Sequence, residues 1–69
     1  MPSVTIFRPG VSVESTEHNT WFGWRFNAEV DGRVGIIETY SPSPQSESQA
    51  AEWAQRQLEM HPDQLEGIS

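Results

Sequence analysis

The fold is decided by residues 21–40, which read WFGWRFNAEVDGRVGIIETY. In the first ten of these residues, apolar side chains recur at every second position, which is the spacing of a half-buried antiparallel strand. They are Phe22, Trp24, Phe26, Ala28 and Val30. Asp31-Gly32 follows directly, and Asp-Gly between two such runs is a strong hairpin signal. Residues 33–40 are therefore predicted to be the return strand.

The turn at Asp31-Gly32 leaves two registers open for this hairpin. A two-residue turn pairs Arg25 with Glu38 on the outer face of the sheet. A three-residue loop with a bulge at the glycine instead turns the apolar residues of the return strand towards Trp24 and Phe26. These residues are Val34, Ile36 and Tyr40. We favour the second register, because a one-residue slip exchanges the faces and the buried face should collect apolar residues.

Alternating residues predict two more strands near the start of the chain, over about residues 3–8 and 11–17. Pro9-Gly10 separates them as a turn signal. After the hairpin, Ser41–Pro44 predicts a loop, because its two prolines interrupt both strand and helix.

A helix is predicted over about residues 46–61, followed by a short tail at 62–69. Two starts are open: Ser43-Pro44 with proline in the first turn, or Ser46 with a glutamine three residues later as a capping box. Small and apolar side chains recur at helical spacing and predict the buried stripe. They are Ala50, Ala51, Ala54, Leu58 and His61.

The predicted fold is therefore α+β, with the element order β-β-β-β-α: an antiparallel sheet of three to four strands packed against one C-terminal helix. The chain has 69 residues, too few for more than one domain, and no cysteine to staple it. Seven aromatic residues favour an aromatic core instead. The predicted core is Ile6, Phe22, Trp24, Phe26, Ala28, Val34, Ile36, Ala50, Ala54 and Leu58.

The composition is strongly acidic, and the acids are unevenly placed. Ten acidic residues face four arginines, so the formal net charge is −6. Residues 1–40 carry three of the arginines, whereas residues 41–69 carry one arginine and five acids. The helix and tail are therefore the acidic part of the chain. A polybasic patch for a membrane or nucleic acid is not available.

Motifs for catalysis, cofactors and metals are missing from the sequence. It contains no G-x-S-x-G, P-loop or G-x-G-x-x-G motif. Without cysteine or a spaced histidine pair, one chain cannot assemble a closed zinc site. His18 lies near Glu14 and Glu17, and we interpret it as a solvated loop residue. We therefore predict a chain that is not an enzyme and binds no cofactor or metal.

Two surfaces are candidates for partner binding. The first is the outer sheet face, with Trp21, Arg25, Asn27 and Arg33. Trp21 faces away from Trp24 because an odd spacing separates them, and tryptophan is enriched at binding hot spots. The alternative for Trp21 is packing under the predicted first hairpin.

The second candidate is the acidic helical side, which would suit a basic partner surface. It comprises Glu47, Glu52, Glu59, Asp63 and Glu66. The alternative is that these side chains form an ordinary solvated helix face.

The segments Trp24–Val34 and Ala50–Ala54, with Tyr40 between them, resemble AP2 and integrase arm-type domains. The shared pattern is a Trp-Arg strand, a tight glycine turn, a return strand and a helix that opens with paired alanines. The resemblance implies a small sheet on one helix, and DNA binding by arginines and tryptophans on the open sheet face. The missing lysines depart from that pattern, and phosphate contacts require cations, so the composition disfavours nucleic acid.

By size and charge, the chain also resembles small acidic phage inhibitors, including anti-CRISPR proteins. We therefore expect a non-enzymatic protein-binding module that occludes a partner's surface, such as a basic nucleic-acid-binding groove. The alternatives are a weak nucleic-acid-binding module that uses the outer sheet face and a self-associating domain that forms a homodimer. No apolar run approaches the roughly 20 residues of a membrane span. The expected location is cytoplasmic, in the host cytoplasm if the chain is phage-encoded.

Overall fold

The computed structural model describes residues 2–15 and 21–67 and confirms the α+β class. The elements are β1 (Val4–Ser15), β2 (Trp21–Val30), β3 (Arg33–Ser41), α1 (Glu47–Met60), a 3-10 turn (Pro62–Gln64) and β4 (Glu66–Gly67). The strands form one antiparallel sheet in the order β1-β2-β3-β4. Helix α1 packs across β1, β2 and β3. Within the described ranges, no helix is long and apolar enough to cross a membrane.

β1 is one long strand where the sequence predicted two. The residues on both sides of Pro9-Gly10 pair with β2, and the register shifts between Phe7 and Val11. Pro9-Gly10 is therefore part of a bulge and not the turn of a hairpin. Glycine is needed there because a Cβ on Gly10 would stand 2.5 Å from the ring of Phe26. The fourth strand of the sheet follows the helix instead of preceding it.

The β2–β3 hairpin closes with a two-residue turn, so the register that we favoured from the sequence is wrong. Asp31 and Gly32 have φ angles of 49° and 85°. Positive φ at both central residues is the signature of a type I′ turn, which matches the twist of the flanking strands. Arg25 therefore lies opposite Glu38, as the other register required.

The turn decides which residues of β3 are buried. Ile37 lies opposite Phe26 and is 5% exposed, whereas Val34 is 49% exposed. Ile36 and Tyr40 share the outer face with Val34. Placing Val34 and Ile36 in the core was therefore wrong. The pattern misled because Ile36 and Ile37 are adjacent, so either register gives the core an isoleucine.

The core lies between the sheet and α1. Its buried members are Phe26, Ala28, Val30, Ile37, Ala50, Ala51, Ala54, Leu58 and Leu65. Val4, Ile6 and Trp24 are partly buried against it, and Phe22 is half-buried. The alanine stripe of the helix faces the large residues of β2, which supply the volume that the alanines lack.

The capping box at Ser46 starts α1, as one of the two predicted starts required. Ser46 Oγ accepts the backbone N–H of Gln49 at 3.2 Å, and the Gln49 side chain accepts the N–H of Ser46 at 3.3 Å. Four members of the predicted stripe are buried, but His61 is exposed at the helix end. The stripe ends before His61 because the helix itself ends at Met60.

Candidate protein-binding site

The sheet face turned away from α1 carries apolar side chains, and we call it the open sheet face. Four of them are exposed: Phe7 (43%), Val11 (60%), Trp21 (41%) and Val34 (49%). The strand registers place all four on the side opposite the buried residues of β2. The half-buried side chains of this face are Val13, Ile36 and Tyr40. Together they form an aromatic and aliphatic surface across three strands.

Gly23 leaves room for the ring of Tyr40 on the open sheet face. Gly23 is opposite Tyr40, and a Cβ at Gly23 would stand 2.6 Å from its Cδ1 atom. The ring therefore covers the backbone of β2 at this position. Burial and then the charge of Glu38 raise the pKa of the Tyr40 hydroxyl above its ordinary value, which already keeps this hydroxyl neutral at pH 7.

An ion pair stands in the middle of the open sheet face. Arg25 donates from Nε and Nη2 to the same Glu38 oxygen, Oε2, at 2.9 and 2.7 Å. The hydrogen bond to Glu38, followed by its charge, raises the pKa of Arg25. The pair neutralises the cation that the sequence offered for phosphate contacts on this face.

Three of the four residues predicted for the outer sheet face lie together there. They are Trp21, Arg25 and Asn27. The fourth, Arg33, pairs with the buried Val30 and so lies on the face of the sheet that is turned towards the helix. Its predicted place was wrong because the two-residue turn reverses the faces of β3.

The sequence did not single out Phe7, Val11 and Val34 as surface residues of this site. The alternation in residues 3–8 contained the signal for Phe7, because it placed Phe7 on the other face of the strand from Ile6. The positions of Val11 and Val34 depended on the bulge in β1 and on the hairpin register.

Glu47, predicted as part of the acidic helical side, instead connects the helix start to the bulge in β1. Its Oε1 accepts Nε of Arg8 at 2.8 Å, and its Oε2 accepts the backbone N–H of Gly10 at 2.9 Å. Arg8 also donates to Ser48 Oγ at 3.1 Å. These bonds, first from Arg8 and then from Gly10, hold the pKa of Glu47 below its ordinary value.

The other predicted acidic residues do not form one surface. Glu59 accepts a bond from Gln55 Nε2 at 3.1 Å, and the same nitrogen donates to the Val4 carbonyl of β1. Glu66 lies in β4 opposite Ile36, at the edge of the sheet. Glu52 and Asp63 are exposed on the helix and the 3-10 turn. The residues predicted to form one acidic helical side are therefore divided between the helix and the sheet edge.

We expect Glu47→Gln to lower the melting temperature by several degrees at pH 7, and the difference from the wild type to shrink as the pH falls through the lowered pKa of Glu47. The folded-state pKa of Glu47 is lowered, so its contribution is complete above the unfolded value of about 4.3. It is lost as the pH falls through the folded value. Thermal unfolding followed by circular dichroism measures the difference. Glu52→Gln, an exposed glutamate of the same helix, is the control; equal melting temperatures for both variants at pH 7 would contradict the role of Glu47.

No three histidine, aspartate or glutamate residues in the described part of the chain lie close enough together to hold a metal ion. Glu17 and His18 lie outside the described residues. Comparison with protein-family models, with curated proteins and with solved structures finds no match to this chain. The fold and the site define a small α+β module with an open, apolar sheet face.

Proposed function

We propose that this chain is a non-enzymatic protein-binding module that covers a surface of a partner protein with its open sheet face, and so inhibits or regulates that partner. The supporting observation is the set of exposed apolar side chains around the Arg25–Glu38 pair. Large apolar side chains collected on one exposed face mark interaction sites in soluble proteins. Tryptophan, tyrosine and arginine, all present here, are enriched in interfaces.

The charge of the chain favours a partner with a basic surface. A net charge of −6 on 69 residues steers the module towards positive potential. A protein that binds nucleic acid through a basic groove presents such a surface. An acidic module seated there would exclude the nucleic acid, which is the proposed mode of inhibition and that of a phage-type inhibitor.

Two observations favour a protein partner over nucleic acid. Arg25 and Arg8 are both engaged by carboxylates, Glu38 and Glu47. Arg33 lies on the other face of the sheet, the one turned towards the helix. In the described part of the chain, the open sheet face therefore offers no arginine outside an ion pair, whereas nucleic acids require several cationic contacts. Self-association is the other alternative, and repulsion between chains of charge −6 opposes it.

The proposal is tested by capturing proteins from a cell lysate on three immobilised baits: the wild type, Trp21→Ala and Met60→Ala. Met60 is 72% exposed at the end of α1, so it is a control outside the open sheet face. We expect a protein whose recovery falls about tenfold or more with Trp21→Ala, the effect of a hot spot, and is unchanged with Met60→Ala. Binding of the purified partner should weaken as salt increases.

Three results would contradict the proposal. One is capture that does not depend on Trp21. Another is a gel shift of nucleic acid at low salt, and the third is a homodimer in light scattering that is lost in Trp21→Ala. The proposed preference for a basic partner surface has its own test. It is wrong if neither salt nor the triple substitution of Glu52, Glu59 and Glu66 by glutamine changes the affinity for the captured protein.

A further inference from the structure

We infer that the free edge of β3 binds an extended peptide segment of the partner as an added β-strand, and that this segment carries an arginine or lysine. The inference rests on the proposed function, because it states which part of a partner protein the module holds. The groove shares Ile36, Glu38 and Tyr40 with the open sheet face, whereas Trp53 belongs to α1, so a Trp53 variant tests the inference apart from the proposed function.

Most of β3 lacks a strand partner on one side. β4 pairs only with Gly35 and Ile36, although β3 continues to Ser41. In a hairpin with a two-residue turn, the two residues that flank the turn are hydrogen-bonded to each other. From there on, every second residue of β3 directs its backbone N–H and C=O groups towards β2. Glu38 and Tyr40 lie between these residues, so their N–H and C=O groups point away from β2. In the described part of the chain, these groups meet no further strand.

This edge borders a groove of about 370 Å³ between the sheet and the helix. Trp53 and Gln57 of α1 line its opposite wall, and Gln64 and Glu66 line one end. Gln57 Nε2 donates to Gln64 Oε1 at 2.6 Å, which fixes that end. A strand added about 4.8 Å from β3 would direct alternate side chains towards Trp53 and towards the ring of Tyr40.

The other edge of the sheet is protected over the first half of β1, from Val4 to Gly10, and this contrast points to β3. On β1, the Val4 carbonyl accepts Gln55 Nε2 at 3.0 Å, and the Gly10 N–H is held by Glu47. The bulge with its proline further blunts that strand. Bulges, prolines and covering side chains are the usual means of preventing strand addition. Residues 37–41 of β3 contain no proline and pair with β2 without a bulge.

The charge of the groove selects a basic segment. Its lining includes two acids, Glu38 and Glu66, and no arginine or histidine. Glu38 is already paired with Arg25, so the exposed Glu66 remains to receive a cation. Trp53 is 46% exposed, and its ring offers a face on which a guanidinium or ammonium group can rest. An extended segment in which a basic residue alternates with apolar residues matches this lining.

The test uses random twelve-residue peptides displayed on phage and selected against the full chain. We expect enriched peptides with arginine or lysine alternating with apolar residues. Trp53→Ala should weaken binding of a synthetic copy about tenfold or more, as loss of a tryptophan anchor does. Met60→Ala removes another exposed apolar side chain of α1, outside both the groove and the open sheet face, and should leave that affinity unchanged. Circular dichroism of both variants checks that they fold.

Amide hydrogen exchange supplies a second readout that a merely structural role of Trp53 would not produce. In the free chain, the amides of Glu38 and Tyr40 should exchange quickly, whereas those of Ile37 and Thr39, bonded to β2, exchange slowly. The bound peptide should slow the exchange at Glu38 and Tyr40.

Three results would overturn the inference: no peptide is enriched, the enriched peptides have no basic preference, or Trp53→Ala weakens binding no more than Met60→Ala does. The proposed function would survive each of these, because its own tests are capture that depends on Trp21, the gel shift of nucleic acid and the homodimer in light scattering.

Discussion

Phe26→Ala should leave most molecules of this chain unfolded at 25 °C. Phe26 is 1% exposed, and its ring stacks beside Trp24 with the centroids 6.5 Å apart. The bulge of β1 also depends on it, because Gly10 lies directly against the ring. Removing a buried phenylalanine costs about 3–5 kcal/mol. Domains of this size have about 3–5 kcal/mol of stability in total, so little would remain.

Urea titration followed by circular dichroism measures the effect of Phe26→Ala. Phe7→Ala is the matched control, because Phe7 is 43% exposed on the open sheet face and loses far less buried area. We expect Phe7→Ala to keep a cooperative transition with a midpoint near that of the wild type. A similar cooperative transition for Phe26→Ala would show that the core is not organised around this ring.

Gly35→Ala should cost about 2 kcal/mol or more, or roughly 10 °C in melting temperature for a domain of this size. Gly35 is buried where β4 crosses the end of β3, and a Cβ there would overlap the carbonyl oxygen of Glu66 and the side chain of Leu65. β4 must therefore move, and Leu65, which is 8% exposed, leaves the core with it. The groove beside β3 would lose the end that Glu66 lines.

The matched control for Gly35→Ala is the residue that pairs with Gly35 across β3 and β4. Gly67 lies opposite Gly35, and a Cβ at Gly67 would meet no atom within 4 Å. Gly67→Ala should therefore leave the melting temperature close to that of the wild type. If both substitutions lower the melting temperature equally, the effect does not come from the close approach of β4 to Gly35.

Local signals in the sequence were sufficient to predict β2 and the start of the helix. The strict alternation from Phe22 to Val30 and the capping box at Ser46 depend on residues close together in the chain. The bulge in β1 could not be predicted in this way. Pro9-Gly10 has the composition of a turn, but the segment is held in the strand by Glu47, a residue 37 positions after Gly10.

The hairpin register separates the part of the candidate site that the sequence predicted from the part that it did not. Trp21, Arg25 and Asn27 belong to β2, whose faces follow directly from its alternation, and they lie together as expected. Val34 and Arg33 belong to β3, whose faces depend on one residue in the turn length. The groove depends on β4, a pairing of two residues whose sequence, Glu-Gly, carries no strand signal.

The central claim is that the open sheet face is the surface that binds a partner protein. It is tested most directly by nuclear magnetic resonance of the isotopically labelled chain, with cross-saturation from the unlabelled partner recovered by capture. We predict that saturation transfers to the side chains of Phe7, Val11, Trp21 and Val34. Saturation confined to the exposed polar side of α1, with those four side chains unaffected, would contradict it.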